Sequence, residues 1–257
     1  MGTQILQPCS RKRKVRDGHH NIDEVEGHCM DVLSELPGIP MVPSNQNMKS
    51  RVIFVLDKAS LTLALVGKCY QILNQEKHAD FLRKKRMDPY RYRPDILHEA
   101  LVHIMHSRIC MAGIVEAVFI KTDGGILIRV DPRTRIPESL DEFCDMMSQL
   151  LQKFSTKAKG KRGKLLQLVK NPITQYLPIN CVKIGLTSSS TKVVEPRDYF
   201  TTFSNDVNFV FVIGAMGHDK IDVEGIDEVI SVSGHHLSAR VCLRMIYESL
   251  AKKYGIW

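Results

Sequence analysis

The 257-residue chain has no Cys-x-x-Cys pair; its seven cysteines (Cys9, Cys29, Cys69, Cys110, Cys144, Cys181, Cys242) are odd in number and scattered. That pattern argues against a zinc or disulfide framework and fits free thiols in a reducing compartment. No apolar run approaches the roughly 20 residues that a membrane helix needs, so no membrane partner is expected. The first residues carry no apolar stretch of signal-peptide length, and a secretory route is not expected either. A Gly-x-Gly-x-x-Gly fingerprint, a P-loop and a nucleophile elbow are all missing, which removes sequence support for NAD, ATP or Ser-His-Asp hydrolysis. His98, His103 and His106 lie near one another, as do His218, His235 and His236. Neither group comes with cysteines or carboxylates at ligand spacing, so no metal site is expected.

What the chain does have is positive charge, a formal +8, and a hydrophobic content of 44% that suffices for one large domain or two small ones. The basic balance points to a polyanionic partner, with nucleic acid the expected class. Residues 1–47 read as a disordered tail with a basic run, Arg11 to Arg16, of the kind used for nuclear import or nucleic-acid binding. Its "LPGIPMVPSNQN" stretch opposes regular structure. A domain over residues 48–257 follows. Within it, roughly 76–164 reads as an insertion holding a hairpin and a basic loop.

"RVIFVLDKASL" predicts a strand running into a turn, and "EAVFIKTDGGILIRV" predicts two strands joined at Asp123-Gly124-Gly125. "SLDEFCDMMSQLLQKF" predicts an amphipathic helix opened by Pro137, with Leu140, Phe143, Met147, Leu150, Leu151 and Phe154 on one face. "TKAKGKRGK" reads as a basic loop. "CVKIGLTS", "NFVFVIGAM" and "DEVISVS" are three further strands, and "LSARVCLRMIYESLAKKYG" is a closing helix. Strands that read as continuous apolar runs, interleaved with helices, indicate an α/β fold with a mostly parallel sheet.

Two regions carry candidate chemistry. Each of the last three strands ends in a loop ("GLTSSS", "GAMGHDKID", "SGHHLSA"), and open α/β sheets bind ligands beyond the carboxyl ends of their strands. Glycine lets backbone approach a ligand, and exposed amides suit a neutral base edge as well as a phosphate. Three such loops in succession favour one shared pocket. The second region, "FLRKKRMDPYRYRPDILHEAL", interleaves six basic residues with Tyr90 and Tyr92, the combination used to bind single-stranded RNA. Asp95, two residues beyond Arg93, is placed to hold that guanidinium or to sit in the first turn of a helix starting near Pro94.

The motifs "RPDI" (Arg93 to Ile96), "RIP" (Arg135 to Pro137), "KNPIT" (Lys170 to Thr174), Leu177-Pro178, "VIGAM" (Val212 to Met216) and "LSA" (Leu237 to Ala239) resemble, in this order, those of the small-subunit rRNA pseudouridine N1-methyltransferases. The similarity runs from about Arg51 to Trp257. It implies the SPOUT fold with a C-terminal trefoil knot, which pattern rules alone do not yield because knots are nearly absent from the prior. It also implies S-adenosyl-L-methionine as cofactor, a homodimer, small-subunit rRNA and pre-ribosomal assembly factors as partners, and a place in nucleus and nucleolus. By the same resemblance, the cofactor would contact Leu186, Thr187, Gly214, Asp219, Val232, Ser233, Gly234, His235, His236 and Leu237. RNA would contact Arg93 and Arg135, with Asp95 steadying Arg93 or, less aptly, acting as general base.

The chain also departs from that pattern. Glu138 and Glu142 stand where the family typically has RNA-facing arginines, Asp219 where it has glycine, and Gly234, His235 and His236 where it has Asn-Tyr-Pro. Glu138, Asp141, Glu142 and Asp145 recur at helical spacing as one acidic stripe. The expected activity is methylation of N1 of a pseudouridine in small-subunit rRNA. The alternatives are a weakened or inactive rRNA-binding assembly factor with the same fold, and a nucleotide-binding α/β protein of other chemistry.

Overall fold

The structure, a computed structural model, describes residues 50–153, 155–157, 164–217, 221–222 and 225–257. The tail expected over 1–47, Asp219, His218, Phe154 and most of the basic loop lie outside the described residues.

The order of elements begins with β1 (Val52–Ala59), the hairpin strands β2 (Leu63–Val66) and β3 (Cys69–Ile72), α1 (Ala79–Lys84), α2 (Pro94–Met105) and α3 (Arg108–Met111). It continues through β4 (Val115–Thr122), β5 (Leu127–Val130), α4 (Leu140–Lys153), β6 (Ser155–Lys157) and β7 (Lys164–Val169). It ends with β8 (Cys181–Leu186), α5 (Pro196–Thr201), β9 (Asn208–Gly214), β10 (Glu228–Ile230) and α6 (Ala239–Lys253).

Eight strands form one sheet in the order β10-β8-β9-β1-β4-β5-β7-β6. The run from β10 to β4 is parallel, and β5, β7 and β6 add antiparallel pairs at the other edge. The mostly parallel α/β sheet is therefore as expected. Asp123-Gly124-Gly125 joins β4 to β5 as expected, with Gly125 at φ +78°, where a side chain would be strained.

Alternation along β1 explains why its run is apolar throughout. Val52, Phe54 and Leu56 face a core shared with α2, α4, α5 and α6, while Ile53 and Val55 face a second cluster with Ala117, Phe119 and Val210. In the larger core, Phe200 of α5 meets Phe209 and Phe211 edge-on, at ring-centroid distances of 5.5 and 5.7 Å.

Three features differ from expectation. The basic run ends in strands rather than in a loop: β6 and β7 pair antiparallel, and β7 continues the sheet from β5. The β2–β3 hairpin was not anticipated; it turns at Gly67, φ +67°. Helix α4 starts at Leu140, because Phe143 N–H reaches back to the Ser139 carbonyl while the Pro137 carbonyl is turned away to accept from the buried His98 ring (Nε2···O 2.7 Å). Glu138 thus precedes the helix, and Asp141 and Glu142 occupy its first turn.

Candidate functional site

The parallel edge β10-β8-β9 determines where the three glycine-bearing loops go. β8 lies between β9 and β10, so its following loop emerges between theirs. Thr187 N–H donates to the Ile230 carbonyl (3.1 Å), and Ser190 Oγ donates to the Val229 carbonyl (2.8 Å). Val194 N–H donates to the Ser231 carbonyl (2.9 Å), and Ser231 N–H donates to the Lys192 carbonyl (2.8 Å). The 187–194 segment is thereby bound along β10 and its continuation. Glu228, in β10, accepts from both the Tyr199 hydroxyl and the Lys192 ammonium, which lies 5.5 Å from the Tyr199 ring centroid. These contacts tie α5, the loop and β10 together.

Between the ends of β8 and β10 and the start of α6 lies a small recess that is partly open to solvent. Leu186, Val232 and Leu237 give it apolar walls; Thr187, Ser188, Ser231 and Ser233 add hydroxyls, and His235 and Cys242 complete the lining. Ser231 Oγ donates to the Ser233 carbonyl (2.6 Å), and His235 N–H donates to Ser233 Oγ (3.1 Å), fixing the turn after β10. Burial pushes the Cys242 thiol up, so it is a poor nucleophile. Among the described residues no lysine or arginine lines the recess. Such walls suit a neutral heteroaromatic group held by hydroxyls and backbone amides better than a polyphosphate.

Of the sequence-expected cofactor residues, the recess brings together Leu186, Thr187, Val232, Ser233, His235 and Leu237. Gly234 and His236 are exposed beside it. Gly214 is not in the lining: a Cβ there would meet Met216 Cε at 2.8 Å, so the close approach at this glycine comes from the chain's own next turn.

The RNA-facing candidates lie on other elements. Arg93 donates from Nε to both Asp95 carboxylate oxygens (2.9 and 3.0 Å) and from Nη2 to Oδ2 (2.6 Å). The hydrogen bond to Asp95 raises the Arg93 pKa further against the opposing effect of burial. His98, one turn along α2, anchors to Pro137 and packs its ring on Phe143 at 4.9 Å, setting the start of α2 beside the approach to α4. Arg135, Glu138 and Glu142 are exposed, and among the described residues none of the three has an ion-pair partner. Asp141 of the acidic stripe takes Lys77 at 2.7 Å. Upstream, Tyr90 is 69% exposed next to exposed Arg91. Among the described residues no hydrogen bond or ion pair links this face to the recess, and no cluster of His, Cys, Asp and Glu could hold a metal ion.

One constellation escaped the sequence reading. Asp57, at the end of β1, is 1% exposed and stands opposite Gly214 in register. Lys121 of β4 lies 3.7 Å from Asp57 Oδ1 and donates to Asp222 Oδ2 at 3.1 Å. Burial acts to lower the Lys121 pKa, but the hydrogen bond to Asp222 and the nearby Asp57 charge prevail and raise it. The available signal was a carboxylate closing an otherwise apolar strand, "VIFVLD".

A family model described as EMG1/NEP1 methyltransferase matches residues 54–251. The chain is 39% identical over 206 residues to ribosomal RNA small subunit methyltransferase NEP1 of Homo sapiens, covering 80% of this chain and 83% of that protein. It is 37% identical over 221 residues to ribosomal RNA small subunit methyltransferase mra1 of Schizosaccharomyces pombe, covering 84% of this chain and 61% of that one. The crystal structure of Archaeoglobus fulgidus Nep1 bound to S-adenosylhomocysteine matches with a TM-score of 0.63 at 17% identity, over 81% of this chain and 100% of that chain. That likeness gives the fold, the SPOUT fold that the resemblance implied. With a family model spanning β1 to α6 and relatives well above a third identical, the chain belongs to the EMG1/NEP1 methyltransferase family.

Proposed function

We propose that the protein transfers the methyl group of S-adenosylmethionine to N1 of a pseudouridine in small-subunit rRNA. The observation that carries this reading is the recess at the ends of β8 and β10, which no lysine or arginine lines among the described residues, in a chain that belongs to a methyltransferase family and resembles the rRNA enzymes named above. Its lining fits a nucleoside cofactor: Thr187, Ser188 and Ser233 bring hydroxyls, and Leu186, Val232 and Leu237 bring apolar contact. When bound, S-adenosylmethionine supplies an electrophilic methyl on a sulfonium. The chain's own part is positional. Hydrogen bonds along β10 hold the walls rigid, so the acceptor nitrogen can be brought in line without reorganising the site. Arg93, held by Asp95, and Arg135 bind phosphate and favour the deprotonated base through their charge. Asp95 is committed to Arg93, which makes it a positioning residue rather than the base.

The exposed basic residues and Tyr90 support a single-stranded loop of small-subunit rRNA as the target. We further propose a homodimer acting in nucleus and nucleolus alongside pre-ribosomal assembly factors. The basic run Arg11 to Arg16 supports import, and the exposed apolar side chains of Met111 (79%) and Trp257 (95%) support burial against another chain. Light scattering on the purified protein and imaging of a tagged chain test these two points.

Incubation with labelled S-adenosylmethionine and total small-subunit rRNA, followed by mapping of the modified nucleotide, tests the activity. Methyl transfer to a single pseudouridine is expected. A protein that binds the cofactor and the RNA but transfers nothing would establish the second reading, an assembly factor without turnover. Glu138 and Glu142, exposed where the resemblance leads one to expect arginines, favour that alternative.

A further inference from the structure

Along one face of the sheet, at the carboxyl ends of four adjacent strands, lies a row of residues: Gly185 on β8, Gly214 on β9, Asp57 on β1 and Lys121 on β4. Strand parity puts Asp57 on the face of Ile53 and Val55, and Lys121 on that of Ala117 and Phe119. Pairing sets Asp57 opposite Gly214 and Gly185 opposite Val212, two residues before Gly214. The chain that leaves β9 comes back over this row. Its first turn is fixed when Ala215 N–H donates to the Asp57 carbonyl (2.8 Å). Its return is fixed when Asp222 N–H donates to Asp57 Oδ2 (2.9 Å). Between those two bonds the apolar contacts are close. Cβ atoms added at Gly185 and Gly214 would lie 3.0 and 3.4 Å from Ile221, so this buried side chain rests against both glycines. Lys121 bridges the Asp57 and Asp222 carboxylates.

A carboxylate this deeply buried is costly unless it is paired, and Asp57 has one oxygen on a backbone amide and the other only 3.7 Å from an ammonium. A hydrophobic residue would close β1 at less cost if packing were the only need. The position matters because of what adjoins it. Gly185 immediately precedes Leu186 and Thr187, which form a wall of the recess, and Ile221 presses on Gly185 from behind. We infer that Asp57, supported by Lys121, is a positioning residue for cofactor binding: it clamps both ends of the segment after β9 and so holds Ile221 against β8 and the recess wall in register. The inference rests on the recess being the S-adenosylmethionine site. A clamp of this kind sets affinity by preorganisation and leaves the chemical step untouched.

Titration calorimetry with S-adenosylhomocysteine, together with steady-state methylation, tests it on the full chain. Asp57→Ala should weaken S-adenosylhomocysteine binding about tenfold or more, the scale of one lost charge-assisted hydrogen bond. It should raise the KM for S-adenosylmethionine in parallel, with kcat at saturating cofactor and the KM for RNA unchanged. Asp57→Asn keeps an oxygen for the Asp222 amide and should recover most of the affinity. Lys121→Met, which keeps the stem and loses the charge, should weaken binding by a smaller factor. If Asp57→Ala does not fold, Lys121→Met and Asp57→Asn carry the test, with the same order of affinities expected. Cofactor affinity equal to wild type in the folded variants, or a fall in kcat without a change in affinity, overturns the inference while leaving the proposed activity standing. A wild-type protein that binds no S-adenosylhomocysteine overturns both.

Discussion

Asp131 shows how single residues on the approach to the proposed RNA face divide the work. Its carboxylate accepts from Arg133 N–H (2.9 Å), Nε (2.8 Å) and Nη2 (2.7 Å), and its carbonyl accepts from Thr134 N–H (2.8 Å). Of Arg129, Arg133 and Arg135, which precede the acidic stripe, Arg133 is therefore occupied locally, while exposed Arg135 has no ion-pair partner among the described residues and stays available for the proposed phosphate contact. The hydrogen bond from Arg133 holds the Asp131 pKa below the ordinary carboxylate range against the opposing effect of burial. A carboxyl with a folded pKa below its unfolded one stabilises the protein above the unfolded pKa, near 3.9 for aspartate, and loses that contribution as pH falls through the folded value. Asp131→Asn should accordingly lower the urea midpoint at pH 7 and flatten the part of the acid decline below about pH 4. Urea titrations of both proteins across that range check it, and parallel curves would show that the pair contributes nothing.

At the scale of elements, the acidic stripe on the N-terminal side of α4 is the feature that most divides fold from activity. Asp141 and Glu142 in the first turn meet the helix dipole favourably, by about 0.3–1 kcal/mol each when exposed. Helix stability alone thus accounts for acids at these two positions, but Glu138 lies before the helix and gains no such benefit. If this face still meets RNA, Glu138→Arg with Glu142→Arg should tighten binding and steepen its salt dependence, by a slope of about 0.7 for each new phosphate contact to a single strand. Filter binding of a small-subunit rRNA hairpin over a salt series reads both quantities, and an unchanged slope would place the face outside the interface. The helix itself was legible in the sequence, because Phe143, Met147 and Leu150 repeat at helical spacing and all three are buried. Its true start was not, since that depends on His98, some forty residues away, taking the Pro137 carbonyl. β7 was missed for a similar reason: "KLLQLV" follows a basic glycine-containing run, and only the β5 partner makes it a strand.

For the molecule as a whole, local pattern identified strands, while their order came from long-range pairing that periodicity does not encode. Apolar runs predicted β1, β8 and β9, yet nothing in them says that β10 returns to the outside of β8. The recess exists only because of that return: Leu186 and Thr187 come from one side, Val232, Ser233 and Leu237 from the other, and α6 starts beside them. The residues expected at the cofactor came from ordered motifs, and Asp57 and Lys121 were missed because no motif contains them. This architecture makes a specific demand on stability. A ligand in the recess bridges segments far apart in sequence, so it should stabilise the closing segment against the rest of the sheet. At a hundredfold excess over Kd, a ligand bound only by the native state contributes about 2.7 kcal/mol. S-adenosylhomocysteine should therefore raise the melting temperature in a concentration-dependent way, and hydrogen-exchange protection should increase at residues 186–194 and 228–243. Protection confined to α2 and the approach to α4 would instead place the cofactor on the proposed RNA face, and no model in which the recess is the cofactor site would survive that result.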